Sequence, residues 1–140
     1  MKKYLYTILI ILLITIIAFL VIYFIKNPNK MIISTAKEKI KINNIYKNSI
    51  EKFDSGVEFK KNPDYLIDYY APDQSFIIVI TNPNIAEIRK KAEKDFLDTL
   101  NINQEQACKL TISVGVPFSV NENAAGINYG LSFCPDGKPL

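Results

Sequence analysis

The chain has no histidine and no tryptophan, a single arginine, two cysteines and five glycines among 140 residues. Each shortage closes off some chemistry. Without histidine there is no Ser-His-Asp or Cys-His nucleophile and no imidazole for a metal. The glycines stand apart, as in "VGV" and "AAG", and no G-x-x-x-x-G-K-[ST] phosphate loop exists. The cysteines, Cys108 and Cys134, form no C-x-x-C pair. Basic charge is scarce in the distal half: residues 62–140 hold six basic against ten acidic side chains, which argues against nucleic-acid binding. No catalytic, cofactor-binding or metal-ligating residue is nominated, and a non-enzymatic role is expected.

What is abundant is apolar. Residues 4–25, "YLYTILIILLITIIAFLVIYFI", carry no charge, proline or glycine. As a helix this run rises about 33 Å, enough for a hydrocarbon core of about 30 Å. Tyr4, Tyr6 and Tyr23 sit near its ends, where amphipathic rings favour an interface. The run is too long for a signal-peptide core, and its exit, "IYFIKNPNK", offers no small-x-small cleavage site. The expectation is a single-pass signal-anchor over 1–26, touching the bilayer through 4–25. Literal counting of lysines would place the C-terminal part in the cytoplasm. Near-exclusive use of lysine over arginine resembles the codon bias of an AT-rich genome and weakens that count. The short basic segment before the run then favours a cytoplasmic N-terminus and a C-terminal domain outside a cell membrane, in reach of another envelope protein.

"NPN" at 27–29 ends the apolar helix, because Pro28 disfavours helix for the residue before it. Thr35 and Glu38 match a capping box, and Ile42, Ile45, Tyr46, Ile50 and Phe53 follow at helical spacing. This predicts a stalk helix over 36–53 within a juxtamembrane segment 27–60, although "KIKIN" also alternates like a strand. "YLIDYY" (65–70) and "SFIIVIT" (75–81) read as a hairpin turned by "APDQ", the second strand apolar on both faces and so covered on both. Residues 83–100 form the clearest helix, with Ile85, Ile88, Ala92, Phe96 and Leu100 in one stripe and Asn101 at the exit. Glu87–Lys91 and Arg89–Glu93 are i,i+4 pairs on its wet side, and Glu93, Asp95 and Asp98 beside lysines read as a solvated face. A short helix opens at Asn103–Gln106. "LTISVGV" (110–116) and "INYGLSFC" (127–134) alternate as half-buried strands. The predicted domain, 61–140, is α+β: a small, mainly antiparallel sheet in the order β-β-α-α-β-β with helices on one face.

Direct opposition of Cys108 and Cys134 in a terminal hairpin would pair apolar with polar positions, against the period-2 rule. Cys108, however, precedes its strand, so a bond from helix end to chain end is open to it. A core this small benefits from such a staple, which makes a Cys108–Cys134 disulfide the leading reading over a redox pair. Arg89, the lone guanidinium, is a candidate anion contact or simply the partner of Glu93. Tyr69 and Tyr70 join it as a candidate contact surface, with cover for the sheet as the alternative.

The run "PNIAEIRKKAEKDFLDTLNINQEQACKLTISVGVP…AGINYGLSFC", residues 83–134, resembles small, uncharacterised, N-terminally anchored bacterial proteins of genome-reduced lineages. That resemblance implies no activity. Type IV pilins share the apolar helix, sheet and C-terminal cysteine loop, but no prepilin glycine precedes this run and no glutamate lies in its first turns. The function expected is a membrane-anchored interaction or structural module outside the cytoplasm. A thiol-redox or other envelope enzyme and a pilin-like subunit are the alternatives.

Overall fold

The computed structural model describes residues 2–26, 29–35 and 38–139, with side chains in the first helix described at Tyr4, Tyr6 and 8–23. Helix α1 runs from Lys2 to Lys26. Among the described residues, no helix is long and apolar enough to cross a membrane. On the described residues this overturns the expected transmembrane signal-anchor, and with it the single-pass membrane location. The role given to Pro28, and the start of the predicted stalk at 36–37, lie outside the described residues.

The predicted stalk is not a helix. Strands β1 (Lys30–Ser34) and β2 (Lys39–Asn43) form an antiparallel hairpin, with Ile33 opposite Ile40 and Met31 opposite Ile42. Thr35 and Glu38 do bond, but across the hairpin turn: the Glu38 N–H donates to Thr35 Oγ1 at 3.1 Å, and the Thr35 N–H to the Glu38 carbonyl at 2.9 Å. The same side-chain-to-backbone bond that caps helices closes turns equally well. The alternation of "KIKIN" prevails because it buries Ile40 and Ile42 together with Ile33. A 3₁₀ turn, Ile45–Lys47, then leads into β3 (Glu51–Phe53).

Strands β3, β4 (Gly56–Lys61), β5 (Tyr65–Tyr70) and β6 (Ser75–Ile80) form an antiparallel meander. After β6 the chain crosses through α2 (Ile85–Leu100) and α3 (Gln104–Ala107). Strand β7 (Thr111–Gly115) then pairs with β6 in parallel, giving the order β3-β4-β5-β6-β7. The architecture is α+β, as residues 65–116 indicated. The predicted closing hairpin is absent: residues 127–134 form no strand. They lie beside β7 through a bridge between Val116 and Ala125 and a bond from the Tyr129 N–H to the Val114 carbonyl at 2.8 Å. Positive φ at Gly126 (76°) and Gly130 (60°) breaks the extended path that strict alternation suggested. Tyr129 and Leu131 are buried nonetheless, while Ile127 is exposed.

Parity along the central strands places the core on one side. Tyr65, Ile67, Tyr69, Phe76, Ile78, Ile80 and Val114 are buried, and α2 lays Ile88, Ala92, Phe96 and Leu100 against them. Phe96 meets Phe76 edge to face at 5.2 Å between ring centroids. Asn101 ends α2 in the left-handed conformation, and Asn103 with Gln106 makes both bonds of a capping box at α3. The opposite face, bearing Leu66, Asp68, Tyr70, Ile77 and Val79, stays half-exposed. The expectation that β6 would be covered on both sides is corrected accordingly.

Candidate functional site

Three polar constellations merit comparison: the underside of α2, an asparagine-lined cleft, and the half-exposed face of the sheet.

At α2, Arg89 and Glu93 are buried, each about 3% exposed, rather than on the wet side. Arg89 Nε donates to Glu93 Oε1 at 2.9 Å. Its other nitrogens donate to the carbonyls of Lys138 (2.8 Å), Tyr129 (3.0 Å) and Gly130 (2.9 Å). Glu93 in turn accepts from the Ser132 N–H at 2.6 Å and from the Ser132 hydroxyl. The i,i+4 spacing correctly paired the two residues. It could not reveal that segment 129–138, an irregular strip, supplies carbonyls to a guanidinium fork. A disulfide joins Cys108 and Cys134 across a Cα–Cα distance of 5.5 Å and pins the same strip a second time. Arg89 is thus a structural clamp and leaves no guanidinium free for an external anion. Tyr69 is buried too, so neither presents a contact surface; Tyr70 remains half-exposed, in contact with the Phe53 ring.

The expected Glu87–Lys91 pair is replaced by Lys91 with Asp64 at 3.5 Å and Glu87 with Asn84. Asp95 is no solvated spectator either. A β-bulge at Phe59 shifts the register of β4, so that Lys60 pairs with Ile67 on the core side and reaches Asp95 at 2.9 Å. The Tyr65 hydroxyl also donates to Asp95. Burial and the hydrogen bond to Asp95 push the Tyr65 hydroxyl up to about 12. Burial works against the Asp95 carboxylate, but the bonds from Tyr65 and Lys60 outweigh it and hold the group below its ordinary range.

The cleft, of ≈ 270 Å³, is lined by Asn29, Asn43, Asn44, Lys47 and Thr99. Its polar groups serve the fold: Asn43 bridges Lys30 and the Thr99 carbonyl, and Lys47 holds Asn29.

The half-exposed face of the sheet differs from both. The strand registers align Glu51, Glu58, Asp68 and Ile77 across β3, β4, β5 and β6. Carboxylates directly opposite one another destabilise a sheet. Among the described residues the counter-charge that touches them is Lys61, at 3.2 Å from Glu58 Oε2. Glu58 is 7% exposed. Glu58 Oε1 and Asp68 Oδ1 are shielded from solvent and have no hydrogen-bond partner among the described residues. Burial first, and Glu58 second, push the Asp68 carboxyl up to about 6. Sequence alone offered a signal here, since "VEFKK" and "LIDYY" place acids among strand residues. Seeing that they face each other required the register, bulge included. Among the described residues, no group of three or more His, Cys, Asp or Glu side chains is arranged to hold a metal ion.

The fold and this face together define a disulfide-pinned α+β domain whose sheet is helix-covered on one side and carries a carboxylate row on the other. Comparison with protein-family models, curated proteins and solved structures finds no match to the chain.

Proposed function

We propose that this chain is a non-enzymatic interaction module that presents the half-exposed face of its sheet to another protein. The observation that carries this reading is the contrast in cover. Ile77 and Val79 lie on the central strand β6, beside Leu66 and Tyr70 on β5, yet remain half-exposed where the alternate positions are fully buried. An apolar strip on a central strand is normally covered, and its exposure marks a place where something else packs. The acids beside it, and the excess of acidic over basic residues across 62–140, suit a partner whose docking segment is apolar with a basic flank.

The test is a photo-crosslinking residue at Val79 in the full chain in its native cells. A discrete adduct is expected. Ile77→Lys or Tyr70→Lys should abolish it while leaving the thermal midpoint nearly unchanged. No adduct, or one indifferent to both substitutions, defeats the reading.

A further inference from the structure

Two carboxylate oxygens, Glu58 Oε1 and Asp68 Oδ1, are hidden from solvent on directly paired residues, and neither accepts a hydrogen bond from the described residues. A buried acceptor without a donor is costly, and two buried anions side by side are costlier. One proton removes both problems, because a carboxyl can donate to the carboxylate opposite. We propose that Glu58 and Asp68 hold a single proton between these two oxygens, forming a proton-dependent latch between β4 and β5 that makes the β3 edge of the sheet sensitive to pH.

The surroundings fit. From β3, Glu51 faces Glu58 and adds a like charge. On β4, Lys61 bonds the other Glu58 oxygen, Oε2, and so leaves Oε1 for the shared proton. From β6 the partner of Asp68 is apolar Ile77, which offers no donor through its side chain. Lys61 bonds Glu58 and not Asp68, so the proton is placed on Asp68. The upward displacement of the Asp68 carboxyl to about 6, caused by burial first and by Glu58 second, agrees with a proton held there. When the proton leaves, Glu51, Glu58 and Asp68 become three consecutive anions across three strands. Strand β3, three exposed residues at the edge of the sheet, pairs with β4 through Glu51, Lys52 and Phe53 opposite Glu58, Val57 and Gly56, and is flanked by the bond from the Ile50 N–H to the Glu58 carbonyl at 2.8 Å and by the Phe53–Tyr70 contact, so it is the short element on which this repulsion acts.

The sign follows from linkage. The folded chain holds this proton more tightly than the unfolded chain, so the latch stabilises most at low pH and its contribution is lost as pH rises from about 4 through about 6. The experiment uses the full chain in neutral detergent, which covers the exposed apolar side chains of α1. Carbon-13 carboxyl NMR of the wild type should show Asp68 half-titrating near pH 6, and in Glu58→Gln closer to the ordinary carboxylate range. Asp68→Asn can donate permanently to Glu58 Oε1. It should melt higher than wild type at pH 8, and the difference should shrink toward pH 4.5. Asp68 titrating near its ordinary value in the wild type overturns the proposal. So does an Asp68→Asn chain that is less stable than wild type at pH 8. If Glu58→Gln does not fold, the wild-type titration and the Asp68→Asn comparison decide the matter.

Discussion

Glu93 and Glu58 are both buried carboxylates on regular elements, four residues from an arginine in one case and three from a lysine in the other, yet the chain treats them differently. Glu93 lies under α2 and is enclosed by donors: Arg89 Nε, the Ser132 N–H and the Ser132 hydroxyl. Glu58 lies on the half-exposed face with one oxygen on Lys61 and the other on nothing among the described residues. The first arrangement ties an irregular segment, 129–138, to a helix. The second sets like charges against one another on neighbouring strands, next to the β3 edge. Burying a charge stabilises a fold only when every lone pair finds a donor, and the two sites sit on either side of that condition.

The sharpest way to break this comparison is to remove the guanidinium. Arg89→Ala strands a buried Glu93 and three carbonyls at once. It should cost about 3–5 kcal/mol of unfolding free energy by denaturant titration, and Arg89→Lys should recover little, since an ammonium lacks the planar fork. A loss under about 1 kcal/mol would mean that the clamp is decorative and that the two carboxylates are alike. Next in size is the other tie on the same strip. Replacing both Cys108 and Cys134 with Ala, which frees a loop closed over 26 residues, should cost about 3 kcal/mol by the chain-entropy estimate. Because both ties hold one segment, the combined variant should lose less or more than the sum, and a strictly additive result would show that they act independently.

Smaller effects probe the bulge. Tyr65→Phe removes the hydroxyl that donates to Asp95 but leaves Lys60 in place, and should cost about 1 kcal/mol. The Asp95 carboxylate lies below its ordinary range, so its contribution is present above that range and lost as pH falls through it. Tyr65→Phe should therefore flatten the acid side of the stability profile, opposite in direction to the Asp68 effect. An unchanged acid limb would argue that Lys60 alone holds Asp95. Least of all should come from Lys94, whose pair with Asp98 is exposed at both ends. Lys94→Ala should leave the denaturation midpoint where it is, which sets the baseline for judging Arg89.

Elements whose signals were strong in one dimension were legible beforehand. The α2 stripe, the Asn101 exit, the Asn103–Gln106 capping box and the β5–β6 hairpin each rest on interactions within about ten residues of sequence, and local chemistry suffices to declare them. The stalk failed as a prediction because Ile42, Ile45 and Ile50 satisfy a helical period while Ile40 and Ile42 satisfy a strand period. Only Ile33, across the hairpin, decides between them. The last segment failed for the opposite reason: its alternation is real but local, and two glycines with positive φ let it serve as a strip of carbonyls instead of a strand. The carboxylate row was invisible because three acids separated by seven and ten residues become neighbours only through the strand registers.

Sequence by itself determined the absence of imidazole chemistry, the apolar face of α2, the turn residues and the availability of a cysteine pair. These depend on composition and on periods of two or 3.6 residues, which any reader of the chain can count. Tertiary structure alone decided which charges are buried and what surrounds them. Arg89 became a clamp, Lys60 turned to the core across a bulge, and Asp68 came to lie against Glu58. Each of these depends on groups distant in sequence sharing a small volume of low polarity, where the strength of an interaction is set by solvent exclusion and geometry rather than by the identity of the residues involved.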